Sequence, residues 1–161
     1  MNAPAPYGPE TMHADRSDHF RRVIDANLYM TIATADEVGR PWASPVYFAH
    51  AGYRKFIWVS KPGARHSRNI ATRPQVGIAV FDSHAPIGTG GGVYVEAIAE
   101  QLFGDDRLAA LEVFSARCIE HGDGSFGLED VEPPAALRIY RATASEHWVL
   151  DDRDMRIAVT V

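Results

Sequence analysis

The stretch of sequence that decides the fold is residues 55–70, Lys-Phe-Ile-Trp-Val-Ser-Lys-Pro-Gly-Ala-Arg-His-Ser-Arg-Asn-Ile. Most of its first six residues are aromatic, β-branched or aliphatic, which is typical of a buried strand. Pro62 and Gly63 end this strand. The following residues favour a helix that stops at the Arg73-Pro74 pair, because proline restricts the residue before it. The stretch therefore predicts a strand that leads directly into the N-terminus of a helix.

The start of this predicted helix has the charge of an anion site. A helix N-terminus carries partial positive charge and unpaired N–H groups, so acidic residues are normally favoured there. This first turn instead contains Arg65, His66 and Arg68, and no acidic residue. A phosphate would compensate these charges, held by backbone N–H groups, by guanidinium groups and by the hydroxyls of Ser60 and Ser67. The alternative is a solvated basic helix that binds nothing.

Composition limits the classes of protein to which the chain can belong. At 161 residues it has room for one domain. A formal net charge of −5 argues against general nucleic-acid or membrane-surface binding. The single cysteine, Cys118, excludes an internal disulfide and a cysteine-based metal cluster within one chain. We expect a cytoplasmic protein with a mobile, proline-rich N-terminal tail at residues 1–14 and a single domain at residues 15–161.

Hydrophobic periodicity predicts a protein with mostly antiparallel strands. Strands are predicted at 29–34, 42–50, 55–60, 75–82, 93–102, 137–144, 146–150 and 155–161. Short connections between the first three indicate an antiparallel meander. The strand at 75–82 has almost no polar face, so we expect it to be covered on both sides.

Three helices accompany these strands. The first is predicted from Asp15 or Ser17, the second over the basic stretch, and the third from Asp105 or Asp106. The inner stripe of the third helix is predicted to be Leu108, Leu111, Ser115, Cys118 and Ile119. So many strands in so short a chain predict a closed or nearly closed β-barrel with peripheral helices.

Other motifs give no catalytic residue and no metal site. The glycine-rich residues 88–92 lack the lysine of a phosphate-binding loop and lead into a strand, so they are interpreted as a hairpin connection. The seven histidines show no metal-binding spacing. His121 is either a general base or, more simply, a solvated loop histidine. The loops at 84–92 and 120–134 are the candidates for shaping a substrate pocket.

Several runs of sequence, in this order, resemble the pyridoxine 5′-phosphate oxidase-like family of flavin-binding split β-barrels. These runs are Met-Thr-Ile-Ala-Thr at 30–34, Gly-Arg-Pro-Trp at 39–42, Ser-Pro-Val-Tyr-Phe at 44–48, residues 56–60, Arg-His-Ser-Arg-Asn-Ile at 65–70, Arg-Pro-Gln-Val at 73–76 and Val-Tyr-Val-Glu at 93–96. The resemblance implies a split barrel, FMN as cofactor, and a homodimer with two flavin sites at the subunit interface. It also implies an oxidoreductase that transfers hydride through the flavin N5 atom.

The resemblance assigns roles by position. Residues 44–47 would lie along the flavin ring, the strand end at 58–60 would border the ribityl chain, and Arg65 with His66 would bind the phosphate. Trp58 or Trp148 would form a wall against the ring. The predicted cofactor-binding residues are Ser44, Pro45, Val46, Tyr47, Trp58, Val59, Ser60, Arg65, His66, Ser67, Arg68 and Trp148.

The sequence also departs from the family's namesake. That enzyme has an arginine where Ser44 stands and a lysine where His66 stands, so vitamin B6 oxidase activity is not expected. Residues 66–70 also resemble the deazaflavin-dependent relatives, which makes a deazaflavin coenzyme, contacting Arg68 or Arg73, an alternative. Further alternatives are a flavin-binding carrier or sensor without turnover, and a haem protein with His50 or His147 as axial ligand.

Overall fold

The computed structural model describes residues 9–87, 91–151 and 153–161, with the backbone alone for residues 9–14. Eight strands and four helices occur in these residues. The strands are β1 (Tyr29–Ala35), β2 (Pro41–Tyr47), β3 (Ala49–Ala51), β4 (Lys55–Ser60), β5 (Gln75–Phe81), β6 (Gly92–Gln101), β7 (Arg138–Leu150) and β8 (Arg156–Ala158). The helices are α1 (Pro9–Ala26), α2 (Arg65–Thr72), α3 (Gly104–Glu120) and α4 (Leu128–Val131).

All strand pairs are antiparallel and belong to one sheet. The strand order is β2-β1-β5-β6-β7-β4-β3, and β8 pairs with β7. Although four strands separate β2 from β4 in this order, the two strands approach each other. The sheet therefore curls into a half-barrel, which is consistent with the predicted split barrel and confirms the mostly antiparallel fold class with helices.

Two hydrophobic clusters stabilise the curled sheet. The larger lies inside the curl, where Phe20 and Ile24 of α1 and Ile70 of α2 pack against inward-facing strand residues. The smaller lies between α3 and the β4–β7 part of the sheet, with Phe114 at its centre and Val131 of α4 completing it. The two clusters hold α2 and α3 close to the end of β4.

The predicted meander of the first three strands is right in its antiparallel pairing but wrong in treating the middle strand as continuous. The expected strand at 42–50 is broken at Phe48, whose side chain is fully buried and whose N–H donates to the Leu28 carbonyl at 3.2 Å. The part before the break pairs with β1 and the part after it pairs with β4. The residues on both sides of Phe48 are Tyr47 and Ala49, which suit a strand as well as Phe48 does, so periodicity missed the break.

Two other expectations about burial hold only in part within a single chain. In β5 only one face is buried, whereas Gln75 and Phe81 on the other face are exposed. In α3 the buried positions are Ala110, Leu111, Phe114 and Cys118, while Leu108 and Ile119 of the predicted stripe are about half exposed, at 49% and 59%. Both stripes have helical spacing, so the sequence alone could not choose between them.

Helix and strand ends differ in smaller ways. Helix α1 begins at Pro9 instead of Asp15 or Ser17, and residues 1–8 of the predicted tail lie outside the described residues. The N-cap of α3 is Phe103, so Asp105 and Asp106 lie in its first turn. The two strands predicted at 137–144 and 146–150 are one continuous strand, β7. It has a register shift opposite Glu96 of β6. Residues 88–90 of the glycine-rich loop also lie outside the described residues, and no helix among those described is long and apolar enough to cross a membrane.

Candidate cofactor site

A cavity of about 1100 Å³ lies beside the start of α2. This is the size of a small-molecule or cofactor site. Strands β1, β2 and β4, the turn after β4, α3 and the loop after α3 all contribute to its wall. The lining residues are Leu28, Tyr29, Pro45, Val46, Tyr47, Val59, Ser60, Lys61, Pro62, Gly63, Ala64, His66, Phe114, Cys118, His121, Asp123, Phe126, Ala136 and Leu137.

One end of the cavity is polar because β4 ends there and α2 begins. After Ser60 the chain turns, with the Ala64 N–H donating to the Lys61 carbonyl at 3.0 Å. The N-cap residue Ala64 has no side chain that can accept a hydrogen bond, and the first turn contains no acidic residue. The helix therefore presents unsatisfied N–H groups close in sequence to Lys61, which also lines the cavity, and this is an arrangement that attracts anions.

His66 is the best connected side chain at this end. Its Nε2 atom lies 2.8 Å from Ser60 Oγ and its Nδ1 atom lies 3.1 Å from Ser44 Oγ. Trp42 Nε1 donates to the same Ser44 oxygen at 3.0 Å. Burial lowers the pKa of His66 below its ordinary value, because the charged imidazolium loses hydration. His66 is therefore a neutral side chain that links β2, α2 and β4.

The other end of the cavity is aromatic. Tyr47 packs edge-on against Phe114 with ring centroids 5.7 Å apart, and Phe114 packs in the same way against Phe126 at 5.2 Å. The Tyr47 hydroxyl is buried beside the Cys118 thiol, and burial raises the pKa of Tyr47 to about 12. Burial also raises the pKa of the adjacent Cys118 thiol. These groups are neutral at ordinary pH, so this wall favours a flat apolar group.

Half of the twelve predicted cofactor-binding residues line this cavity. They are Pro45, Val46, Tyr47, Val59, Ser60 and His66. Ser44 lies behind His66 and reaches the cavity only through it. Ser67 is buried, and its hydroxyl has no partner among the described residues.

The two arginines predicted to bind phosphate do not line the cavity. The Arg65 guanidinium lies over the Trp42 ring, 4.5 Å from its centroid. Arg68 donates to the Gly63 carbonyl. Because burial favours neutral His66, the basic residue that lines the cavity with a full charge is Lys61, which lies in the stretch 55–70 but was not predicted as a site residue.

Neither predicted tryptophan contributes to this cavity. Trp58 is fully buried in the core and stacks on Tyr140 with ring centroids 5.6 Å apart, so it cannot form a wall against a ligand there. A large aromatic residue at a strand end suits the core as well as a binding site, so the sequence alone could not choose between these two roles for Trp58. Trp148 lines a separate hollow of about 380 Å³ on the outer face of β1, β5 and β6.

The two histidines considered as haem ligands also lie elsewhere. His50 Nε2 is 3.0 Å from Asp25 Oδ1, and His147 Nε2 is 2.9 Å from the Tyr53 carbonyl oxygen. Among the described residues, no group of three or more His, Cys, Asp or Glu side chains is arranged to hold a metal ion.

Sequence reasoning missed most of the cavity's aromatic wall. Tyr29, Phe114 and Phe126 come together from three distant segments, and no local pattern marks them as neighbours. The loop at 120–134 was predicted to shape the pocket, and it contributes His121, Asp123 and Phe126. The described part of the loop at 84–92 contributes no lining residue to this cavity.

Comparisons with known proteins agree with this architecture. A family profile described as pyridoxamine 5′-phosphate oxidase matches residues 17–150. Comparison with curated proteins found no match.

Solved structures share the fold at low sequence identity. A heme binding protein from Mycobacterium smegmatis is 21% identical with a TM-score of 0.67; the similarity covers 87% of this chain and 55% of that one, so this chain spans about half its length. The heme storage protein HutZ from Vibrio cholerae is 20% identical with a TM-score of 0.64, covering 80% and 89% of the two chains. An FAD-binding protein from Mesorhizobium loti is 19% identical with a TM-score of 0.64, covering 83% and 90%.

The predicted family resemblance is thus confirmed by a profile match over most of the chain. The curled antiparallel sheet with the cavity at its β4–α2 corner agrees with that match. This chain belongs to the pyridoxamine 5′-phosphate oxidase family.

Proposed function

We propose that the cavity binds FMN and that the protein is a flavin-dependent oxidoreductase. The observation that carries this proposal is the change of chemistry along one cavity, from hydroxyl, ammonium and helix N–H groups at residues 60–64 to aromatic rings at Phe114 and Phe126. FMN has the same asymmetry, with a doubly charged phosphate at one end and a flat, largely apolar ring system at the other. The FAD-binding neighbour supports a flavin in this fold.

The residues present fit this cofactor. A phosphate supplies only acceptor oxygens, and the uncapped start of α2, Lys61 and Ser60 supply donors and positive charge. Residues 45–47 of β2 would flank the ring, and Tyr47 and Phe114 would offer it apolar contact. Arg65 and Arg68 keep their intramolecular contacts in this arrangement, so they would act on the phosphate at longer range.

The chemistry comes from the cofactor, and the protein supplies binding and orientation. Bound FMN supplies hydride transfer at N5, which requires no acid or base from the protein. The Lys61 side chain and the α2 N–H groups fix the polar end, and the aromatic wall fixes the ring end. Substrate enters the remaining volume beside His121 and Asp123, on the loop that follows α3.

A homodimer is part of this proposal. The outer face of the sheet exposes Phe81 and Ile98, at 54% and 48%, on either side of the hollow that contains Trp148. A second copy covering this face would bury these apolar side chains. Sedimentation should give the mass of a dimer, and Ile98→Asp should shift it towards the monomer. A wild-type protein that sediments as a monomer at micromolar concentration contradicts this part of the proposal.

The two lysines of the chain provide a matched test of the cavity. Lys61 lines it, whereas Lys55 lies at the far end of β4. Lys61→Ala should weaken FMN binding about tenfold or more, as loss of a charge-assisted contact does, and Lys55→Ala should leave it unchanged. FMN fluorescence quenching measures both affinities. Equal affinities for both variants and the wild type would exclude Lys61 from the phosphate site.

The first of two alternatives is tested in the same assay. A deazaflavin coenzyme titrated in parallel should bind more weakly than FMN, and the reverse order would favour the deazaflavin alternative. A separate experiment distinguishes an enzyme from a carrier or sensor. The FMN complex is reduced and then exposed to oxygen or a dye. An enzyme should be reoxidised in a substrate-dependent way, and a carrier or sensor should not.

Haem binding is a second candidate function. Two structural neighbours, a heme binding protein and a heme storage protein, support it. So does His121, which lines the cavity beside its aromatic wall. Hemin titration of the wild type and of His121→Ala tests it. A Soret shift that His121→Ala removes would favour haem, and no shift in the wild type would exclude it.

A further inference from the structure

Four side chains, Trp42, Ser44, His66 and Ser60, form one continuous chain of hydrogen bonds from β2 to the cavity, which we call the relay. Trp42 Nε1 lies 3.0 Å from Ser44 Oγ, Ser44 Oγ lies 3.1 Å from His66 Nδ1, and His66 Nε2 lies 2.8 Å from Ser60 Oγ. Ser44, His66 and Ser60 are each only 9% exposed. Of these four residues, His66 and Ser60 line the cavity.

The number of protons in this chain restricts their placement. The indole N–H of Trp42 can only donate, so Ser44 Oγ accepts from it. Neutral His66 carries one ring proton, and each serine hydroxyl carries one. Two arrangements therefore remain, which differ in the nitrogen that carries the His66 proton.

One arrangement leaves a buried donor unused. If Nδ1 carries the proton, Ser44 accepts two hydrogen bonds and its own O–H has no acceptor among the described residues. Ser60 would then donate to Nε2 and present its lone pairs to the cavity. A buried donor without a partner costs free energy, and lone pairs facing the uncapped helix start would repel an anion there.

The other arrangement uses every donor in one direction. If Nε2 carries the proton, Trp42 donates to Ser44, Ser44 donates to His66 Nδ1, and His66 donates to Ser60. The Ser60 O–H is then free to donate into the cavity. Hydrogen bonds that point the same way along a chain polarise and strengthen one another.

We infer that Trp42, Ser44 and His66 are positioning residues that hold His66 in its Nε2–H tautomer and so orient the Ser60 hydroxyl as a donor towards an acceptor-only ligand group. The tautomer stands on the protein's own hydrogen bonds. Its consequence for a phosphate rests on the proposed function.

Arg65 extends this relay without touching the cavity. Its guanidinium lies 4.5 Å from the centroid of the Trp42 ring. A cation over the ring face draws electron density from the indole and makes its N–H a stronger donor. The first-turn arginine thus acts on the polar end of the cavity through Trp42 and Ser44.

Nitrogen NMR of ¹⁵N-histidine-labelled protein reads the tautomer directly at neutral pH. Comparison with His66→Gln assigns the His66 signals among the seven histidines. The relay predicts a pyrrole-like Nε2 and a pyridine-like Nδ1 in the ligand-free protein. The reverse pattern, or two protonated nitrogens, overturns the inference. Ser44→Ala should move the Nδ1 signal and mix the two tautomers, and an unchanged spectrum also overturns it.

The preference for FMN over riboflavin measures the contribution to phosphate binding, because the two ligands differ only in that group. Ser44→Ala should reduce this preference about tenfold and Trp42→Phe about threefold, while riboflavin affinity stays unchanged. Ser145→Ala, which removes a hydroxyl bonded to the Glu96 carbonyl on the surface, is the matched control and should have no effect. An unchanged preference in both relay variants overturns the ligand part of the inference. If the wild type binds no flavin, the proposed function fails and the tautomer measurement alone decides the relay.

Discussion

The N-termini of α2 and α3 have opposite chemistry. Helix α3 carries Asp105 and Asp106 in its first turn, and Asp106 accepts a hydrogen bond from Arg141 at 3.0 Å. Helix α2 has no acidic residue and no side-chain cap. The chain's own acidic residues neutralise the start of α3, whereas the start of α2 is left for a ligand. Neither helix has a side-chain cap, so the comparison shows that a first turn without acidic residues becomes informative when it faces a cavity.

An acidic cap at α2 should produce the largest effect. Ala64→Asp supplies the missing N-cap, so the free energy of unfolding of the ligand-free protein should rise by about 1 kcal/mol. The same carboxylate occupies the anion site, so FMN affinity should fall about 100-fold through charge repulsion. Urea unfolding and FMN titration measure the two opposite changes. Loss of stability together with unchanged FMN affinity would refute the assignment of this helix start.

The matched change at α3 should separate capping from binding. Phe103 is the N-cap of α3 and is 66% exposed, so Phe103→Asp should also raise the unfolding free energy, by about 0.5 kcal/mol. Because this site does not face the cavity, FMN affinity should be unchanged. A parallel loss of affinity in both variants would indicate a general charge effect.

Acidification should destabilise the protein through its buried and half-buried histidines. Burial is the main cause that lowers the pKa values of His66, His50, His147 and His19 below 6.5. Below that pH the unfolded chain binds protons that the folded protein resists, so the unfolding free energy falls as pH falls until the folded-state pKa values are reached. Urea unfolding at about pH 7.5 and about pH 5.5 measures the loss. His66→Gln should show a smaller loss, and a larger one would contradict a neutral His66.

The ion pairs at α3 should matter least. Arg141 binds Glu100 at 2.8 Å and Asp106 at 3.0 Å, and its side chain is only 14% exposed. Arg141→Met keeps much of the packing and removes the charge, and both acidic partners are more than half exposed, so the unfolding free energy should fall by only about 0.3 kcal/mol. Flavin affinity should stay constant, because both acidic partners lie away from the cavity. A change in affinity larger than the change in stability would link this corner to the site.

The sequence predicted those parts of the molecule that local chemistry determines. The β4–α2 junction follows from Pro62, Gly63 and the apolar run before them, and the structure has it within a residue or two. The absence of acid in the first turn of α2 predicted an anion site, and this helix start borders the cavity, while anion binding itself stays a prediction. The family profile confirms the family and the fold that the order of short motifs suggested.

The remaining features depend on contacts that sequence cannot show. The break at Phe48 and the core position of Trp58 result from packing between distant strands. His66 was predicted as a cation, but burial between Ser44 and Ser60 favours its neutral form. Lys61 replaces Arg65 at the cavity because the Arg65 side chain turns onto Trp42. For Arg65, His66 and Trp58 the sequence identified a residue of the right chemical type but could not show which way its side chain points.

The most direct test of the account is a titration of the purified wild-type protein with FMN and with riboflavin, followed by absorption and fluorescence. The account predicts that FMN binds at least about tenfold more tightly than riboflavin, because only FMN carries the phosphate that Lys61 and the start of α2 attract. Equal affinity for the two flavins, or binding of neither, would contradict the assignment of this corner as a phosphate site.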